Sequence, residues 1–348
     1  MVMLLLVAIA VTPALIFPQH AALKMTGQDR VATVRATYTD ASRIELFTDT
    51  GRGEKREVNV ECWYPEPSAG KYPLVVFSPG SFGTRTSNTS VYKELASNGY
   101  VACSIDHPYH SFYTTNANGK LTLISWSFLQ EALGVNNDKY DTATKFRLTQ
   151  QWMELRTADI NLVLNTIIAR AADPASGEVY QMIDTKKIGL MGHSLGGAAI
   201  VQVARDRDDI DAVINLDADL IGEYTFVGGK TVVNRAIYLV PILSMYSDDM
   251  VNLLVGIPDP NNVIAGKYIA ATAPHAYEVH IAGTNHLSLT DLPLSSPFLL
   301  SVLNRSVQIG GREEADKYVI IAKMNGFVLE FFNVYLKGEG SFTSVGTR

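Results

Sequence analysis

Lys187-Ile188-Gly189-Leu190-Met191-Gly192-His193-Ser194-Leu195-Gly196-Gly197-Ala198-Ala199-Ile200 is an apolar strand that turns, at a single serine, into a helix of small residues. A bare Gly-x-Ser-x-Gly arises by chance in about one chain in ten of this length, from ordinary glycine and serine usage. The setting makes it specific. A strand runs straight in, a helix starts straight after, and glycines stand two residues to either side. A strained serine backbone and a closely passing chain leave no room there for larger side chains. The stretch predicts a nucleophile, Ser194, on a sharp turn at the edge of a parallel sheet.

The neighbouring segments supply that sheet. Tyr72 to Ser78 is nearly all apolar, as expected of a strand covered on both faces, and Pro79-Gly80-Ser81-Phe82-Gly83 follows as a tight turn. Tyr100 to Ile105, 187–192, 211–216, 238–245 and 276–281 read as further buried strands. Helical patterns at 88–98, 147–170 and 195–205 lie between strands, the first ending at Asn98-Gly99. Segments 31–39 and 56–64, with Asp49 to Gly53 as the turn, predict an antiparallel pair at one edge. A helix at about 313–337 closes the chain over one face. The result is an α/β class fold, a mostly parallel sheet of about eight strands with helices on both faces. The segment from about 110 to 145 interrupts the alternation, and its length predicts a lid-like or binding insertion.

The chain has 348 residues, 47% apolar and 18% charged, which suits one large domain over residues 27–348. A net charge of −6 without clustered Lys or Arg argues against a nucleic-acid partner. Cys62 and Cys103 lie in strand-like apolar runs without Cys-x-x-Cys spacing and read as core thiols. Met1 to Pro18 carries no charge and lies close to the lower limit of about 17 residues for spanning a bilayer. Its first basic neighbour, Lys24, follows it, the reverse of a secretory leader. Residues 1–20 are therefore expected to be a membrane-anchor-like segment.

A serine hydroxyl needs a base to take its proton, and the chain offers seven histidines. Parallel strands end on one shared edge, so a partner must come from a loop that follows a strand. His275 precedes a strand and His280 lies within one. His193 is expected to point away along the turn, His20 belongs to the leader, and His107 and His110 follow an early strand. His286, in Ala282-Gly283-Thr284-Asn285-His286, follows the last strand and is the expected base. Its acid is either Asp217, after 212–216, or Asp248 or Asp249, after 241–247; topology does not choose. The oxyanion needs two main-chain N–H groups: Leu195, and a second from the turn after 72–78, with Ser81 first and Phe82 next. No metal or cofactor is expected, since there is no His-Glu-x-x-His and His107-x-x-His110 lacks a third ligand.

Four segments carry a family resemblance: Val76-Phe77-Ser78-Pro79-Gly80-Ser81, Gly189 to Gly197, Leu216-Asp217-Ala218, and Asn285-His286-Leu287-Ser288-Leu289-Thr290-Asp291. In this order the chain resembles the platelet-activating-factor acetylhydrolase and bacterial dienelactone-hydrolase-like branch of the α/β-hydrolases, from about residue 31 to 335. The resemblance implies a cofactor-free acyl-ester hydrolase in which water cleaves an acyl-enzyme on Ser194. It favours Asp217, because the family's acid stands in a Leu-Asp-Ala run after the strand that follows the nucleophile. The chain departs from the family at Pro79, where the acetylhydrolases usually carry His, and matches loosely over 111–145, so a phospholipid substrate is not carried over. Bacterial relatives often bear membrane helices ahead of the hydrolase domain. With residues 1–18 this implies an extracytoplasmic catalytic domain, the alternative being a cytoplasmic one.

The expected substrate is a small-molecule ester, short-acyl or lipid-like. The same triad would serve a peptidase or an acyltransferase. A non-catalytic membrane-associated protein that keeps the fold is the reading from another class.

Overall fold

The computed structural model describes residues 16–47, 53–66, 70–255, 264–306 and 316–348. Most of the expected anchor segment, up to residue 15, lies outside them, as do turn residues 49–52 and the start of the expected closing helix.

The first strands are long and amphipathic: β1 (Arg30–Ile44) pairs antiparallel with β2 (Lys55–Glu66), from Arg30 opposite Glu66 to Asp40 opposite Arg56. The runs without polar alternation become the centre of the sheet: β3 (Tyr72–Ser78) and β4 (Val101–Asp106) are covered on both faces. A small hairpin, β5 (Tyr113–Thr115) with β6 (Leu121–Leu123), stands apart. Then come β7 (Ile183–His193), β8 (Ala212–Leu216), a second hairpin of β9 (Tyr224–Val227) and β10 (Lys230–Val233), β11 (Ile242–Tyr246), β12 (Ala276–His280) and β13 (Gly346–Thr347).

Nine strands form the main sheet, in the order β1-β2-β4-β3-β7-β8-β11-β12-β13. Only β2 runs against its neighbours. The sequence reading of about eight omits β13, whose two residues, Gly346 and Thr347, carry no apolar signal. β11 is also shorter than the 238–245 run. Tyr238 lies outside the strand, donating its hydroxyl to the Val201 carbonyl at 3.1 Å, and the strand begins after Pro241.

Period-two alternation sorts β3 between two cores. Leu74 and Val76 face the helices Thr142–Ala172 and Leu195–Asp206, while Val75 and Phe77 face the helices Thr89–Ser97 and Lys317–Phe332. The Thr142–Ala172 helix starts earlier than the apolar pattern, because Asp141 caps it by accepting from the Thr144 N–H at 2.7 Å. The segment Lys317–Lys337 is long and apolar enough to cross a membrane. Ile320, Ile321, Met324, Val328, Phe331 and Phe332 are buried in it, so it closes the second face as the sequence predicts.

The 110–145 insertion contains the β5–β6 hairpin and the helix Trp126–Asn136. The hairpin is tied to the first strands: the Asn59 side chain donates to Thr114 Oγ1 at 2.9 Å, and the Ala117 N–H to Thr37 Oγ1 at 2.8 Å. Cys62 and Cys103 are buried, as read, and they also form a disulfide where β2 and β4 place them directly opposite. No local signal in the sequence puts those two strands side by side.

Candidate active site

Ser194 is the first residue after β7, with φ 53° and ψ −129°, a strained conformation for any residue with a side chain. The turn survives because its neighbours are glycine. A Cβ on Gly196 would lie 2.0 Å from the Ser78 carbonyl oxygen, and one on Gly192 would lie 2.6 Å from the Gly196 carbonyl carbon. The Ser194 N–H is held by the Leu216 carbonyl at 2.9 Å, which fixes the elbow to the end of β8. Behind it the Leu195–Asp206 helix directs its positive dipole end at the turn.

Asp217 is the first residue after β8, also at positive φ, 55°, and fully buried. Its Oδ2 accepts from His286 Nδ1 at 2.7 Å and from the Ser247 hydroxyl at 2.8 Å, and its Oδ1 accepts from the Ser247 N–H at 2.6 Å. Three donors thus compensate a buried carboxylate. With Nδ1 donating, the network assigns the His286 tautomer and leaves Nε2 as the lone-pair nitrogen.

The rival aspartates do other work. Asp248 accepts from His280 Nε2 at 2.6 Å and from the Gly283 N–H at 3.0 Å. Asp249 accepts the main-chain N–H of His286 at 3.0 Å. Ser247, which the sequence reading passed over, was findable as the last residue before that pair, at the end of the strand beside β8.

His193 corrects one expectation: its ring does not point away. It lies beside the His286 ring, centroids 4.6 Å apart, and its Nε2 donates to the His286 carbonyl at 2.9 Å. Burial, with His286 next to it, pushes the His193 ring down to about 3, so it stays neutral and adds no charge beside His286. The main chain of His286 is therefore gripped at both ends, by Asp249 and by His193.

The turn after β3 meets the elbow closely: a Cβ on Gly80 would lie 3.0 Å from the Ser194 Cβ. The Phe82 N–H donates to the His110 carbonyl at 3.0 Å and the Gly83 N–H to the Gly80 carbonyl at 3.1 Å. Those bonds commit the Phe82 N–H, the second candidate of this turn, to a carbonyl.

A second Ser-His-Asp chain lies next to this turn. Ser78 Oγ bonds His107 Nε2 at 2.9 Å, and His107 Nδ1 bonds Asp159 at 3.0 Å. All three are fully sealed from solvent, which denies Ser78 a substrate. Against the upward push of burial, Arg56 and His107 hold Asp159 far below the usual carboxylate range. Burial, with Arg156 nearby, pushes His107 down to about 4. Both His107 nitrogens are committed, and the His110 ring stacks on Phe128 at 3.8 Å. Among the described residues, no group of three or more His, Cys, Asp or Glu is placed to hold a metal ion.

A parallel sheet with a serine elbow after β7, an Asp after β8 and a His after β12 defines the α/β-hydrolase class. The chain belongs to the family of platelet-activating factor acetylhydrolase, isoform II, which it matches over residues 39–344. It is 27% identical to a platelet-activating factor acetylhydrolase of Canis lupus familiaris over 44% of this chain and 36% of that one. A probable 1-alkyl-2-acetylglycerophosphocholine esterase of Arthroderma benhamiae is 26% identical over 55% of this chain and 41% of that one. Cutinase 1 of Thermobifida cellulosilytica is 27% identical over 44% of this chain and 42% of that one. The chain thus spans less than half the length of each of these relatives. A ferulic acid esterase structure from Streptomyces cinnamoneus shares the fold, with TM-score 0.68 at 21% identity, covering 91% of this chain and 93% of that one.

Proposed function

We propose that this chain hydrolyses carboxylic esters through an acyl-enzyme on Ser194. The observation that carries the reading is the buried Asp217–His286 bond of 2.7 Å on the sheet edge that bears the strained Ser194. In this mechanism His286 Nε2 takes the Ser194 proton as Oγ attacks the ester carbonyl, and Asp217 stabilises the imidazolium. The N–H groups of Ser81 and Leu195 hold the oxyanion, His286 returns the proton to the leaving alcohol, and water repeats the sequence to release the acid. No cofactor takes part.

The family and the names of its relatives, acetylhydrolases and esterases, support a small-molecule ester with a short acyl group over a peptide. The disulfide between Cys62 and Cys103 supports an oxidising, extracytoplasmic location, and the uncharged run Met1 to Pro18 supports attachment to a membrane.

The test is covalent labelling by a fluorophosphonate together with turnover of p-nitrophenyl esters of increasing acyl length. Labelling and acetate turnover that vanish in Ser194→Ala support the reading. A folded protein that neither labels nor turns over esters excludes it, and faster cleavage of peptides than of esters moves it to the peptidases.

A further inference from the structure

The Thr142–Ala172 helix carries a fully buried cation, Arg156, whose hydrogen bonds among the described residues go to main-chain carbonyls of the turn after β3. One guanidinium nitrogen donates to the Pro79 oxygen at 2.5 Å and another to the Gly80 oxygen at 3.1 Å. Its Nε has no hydrogen-bond partner among the described residues. Burying a guanidinium without a carboxylate bound to it is expensive, and simple packing at this position would be served by an apolar side chain.

The surroundings keep the cation on the turn. Asp159, one helical turn further on, is held by Arg56, Arg43 and His107. Glu45 pairs with Arg56, and Asp40 pairs with Arg43. The three carboxylates therefore pair with two guanidinium groups, Arg56 and Arg43, and with His107, while among the described residues none bonds Arg156. Burial pulls the Arg156 guanidinium down only to about 9, so it remains a cation at neutral pH.

A trans peptide is planar, with its C=O and N–H on opposite sides. The Gly80 carbonyl belongs to the same peptide as the Ser81 N–H. That carbonyl is fixed by two donors, Arg156 and the Gly83 N–H at 3.1 Å. With the carbonyl aimed at the buried helix, the planar peptide carries the Ser81 N–H on its opposite side, and Gly80 itself meets the elbow, where an added Cβ would lie 3.0 Å from the Ser194 Cβ. A cationic donor on the carbonyl also polarises the peptide and makes its N–H a stronger donor, by roughly 10–30% per bond in such chains.

We propose that Arg156 is a positioning residue of the oxyanion site, setting the plane and polarity of the Gly80–Ser81 peptide for the tetrahedral intermediate. The proposal rests on the ester-hydrolase reading of Ser194. Arg156 touches no substrate and acts only through the turn.

Arg156→Gln and Arg156→Lys test it, with kcat and KM measured on p-nitrophenyl acetate. A second readout is affinity for a trifluoromethyl ketone, which forms a charged tetrahedral adduct on the serine. Loss of a whole oxyanion donor lowers kcat by about 100- to 1,000-fold. Misaligning one in Arg156→Gln should lower kcat by about 10- to 100-fold, weaken the ketone by a similar factor and leave KM within about twofold. Arg156→Lys, which keeps a cation and one reach, should recover part of both.

A folded Arg156→Gln with unchanged kcat and ketone affinity overturns this proposal while leaving the hydrolase reading intact. An unlabelled, inactive wild type overturns both. Should neither variant fold, wild-type protein with 13C-carbonyl glycine and 15N-serine gives signals from only two peptides, Gly80-Ser81 and Gly340-Ser341. The Ser81 N–H must then move downfield on binding the ketone, with the Gly80 carbonyl carbon at the low-field position of a guanidinium-bonded amide. An unmoved N–H or an ordinary carbonyl shift overturns the proposal.

Discussion

Asp249 holds His286 by its main-chain N–H, at 3.0 Å, and not by its ring. The ring belongs to Asp217, at 2.7 Å. Two aspartates thus support one histidine in different ways, and their removal should have different consequences. Asp217→Ala deletes the group that sets the tautomer and stabilises the imidazolium, and kcat should fall by about 1,000- to 10,000-fold. Asp249→Ala loosens the loop but leaves the ring pair, so a loss of about tenfold is expected. Asp248→Ala, which frees His280 and Gly283, should cost less still. Steady-state kinetics on one ester decide, and equal losses at positions 217 and 249 would refute the division of labour.

Ser247 gives two of the three hydrogen bonds that compensate the buried Asp217 carboxylate. Ser247→Ala removes the hydroxyl and keeps the main-chain N–H. Hydrogen bonds to charged groups contribute about 1.5–3 kcal/mol. Chemical denaturation should register a loss near the lower end of that range, since the hydroxyl also accepts from the Met250 N–H at 3.3 Å. Turnover should fall several-fold. Unaltered stability would mean that the hydroxyl contributes nothing to the carboxylate.

What could be read from the sequence follows from how local each signal is. Ser194 was legible because strand, glycines and helix lie within a few residues of one another. His286 was legible by elimination, once all parallel strands were required to end on one edge. The choice of Asp217 needed the family resemblance, since Asp217 and the Asp248–Asp249 pair both end strands on that edge. Contacts between distant segments stayed hidden. The turn of His193 toward His286, the grip of Arg156 on Gly80 and the pairing of Cys62 with Cys103 all depend on strand order and register. Neither appears as periodicity in a single chain.

The buried neutral histidines give the fold a pH dependence with a definite sign. Burial, with Arg156 beside it, pushes His110 well below its ordinary value of 6.5, and among the described residues its Nδ1 has no partner. As pH falls below 6.5 the unfolded chain takes up a proton on this residue and the folded chain does not. The stability is therefore complete above the unfolded value and is lost on acidification toward the depressed folded value. The linkage slope is about 1.4 kcal/mol per pH unit per proton, or about 2 kcal/mol between pH 6.5 and pH 5. His110→Phe keeps an aromatic ring against Phe128 and deletes the titration. Its unfolding free energy should fall less than that of the wild type over this interval. Parallel curves for the two proteins would exclude His110 as a source of the acid sensitivity.

The disulfide between Cys62 and Cys103 closes a loop of 41 residues between β2 and β4. Loop-closure entropy for that length corresponds to about 4 kcal/mol of constraint on the unfolded chain. Two features make the folded state insensitive to its loss: the strands are already paired by main-chain hydrogen bonds, and both sulfurs lie in the core, away from the Ser194 edge. The double variant Cys62→Ala with Cys103→Ala should therefore keep its kcat while its guanidinium midpoint falls. Part of that fall comes from the two vacated sulfur positions, so the informative comparison is wild type unfolded with and without a phosphine reductant. Reduction leaves both sulfurs in place and removes only the bond, and a drop of about 2–4 kcal/mol is expected. A wild type whose unfolding is the same in both conditions would show that the bond adds no stability, and that the core packing of the two residues is their whole contribution.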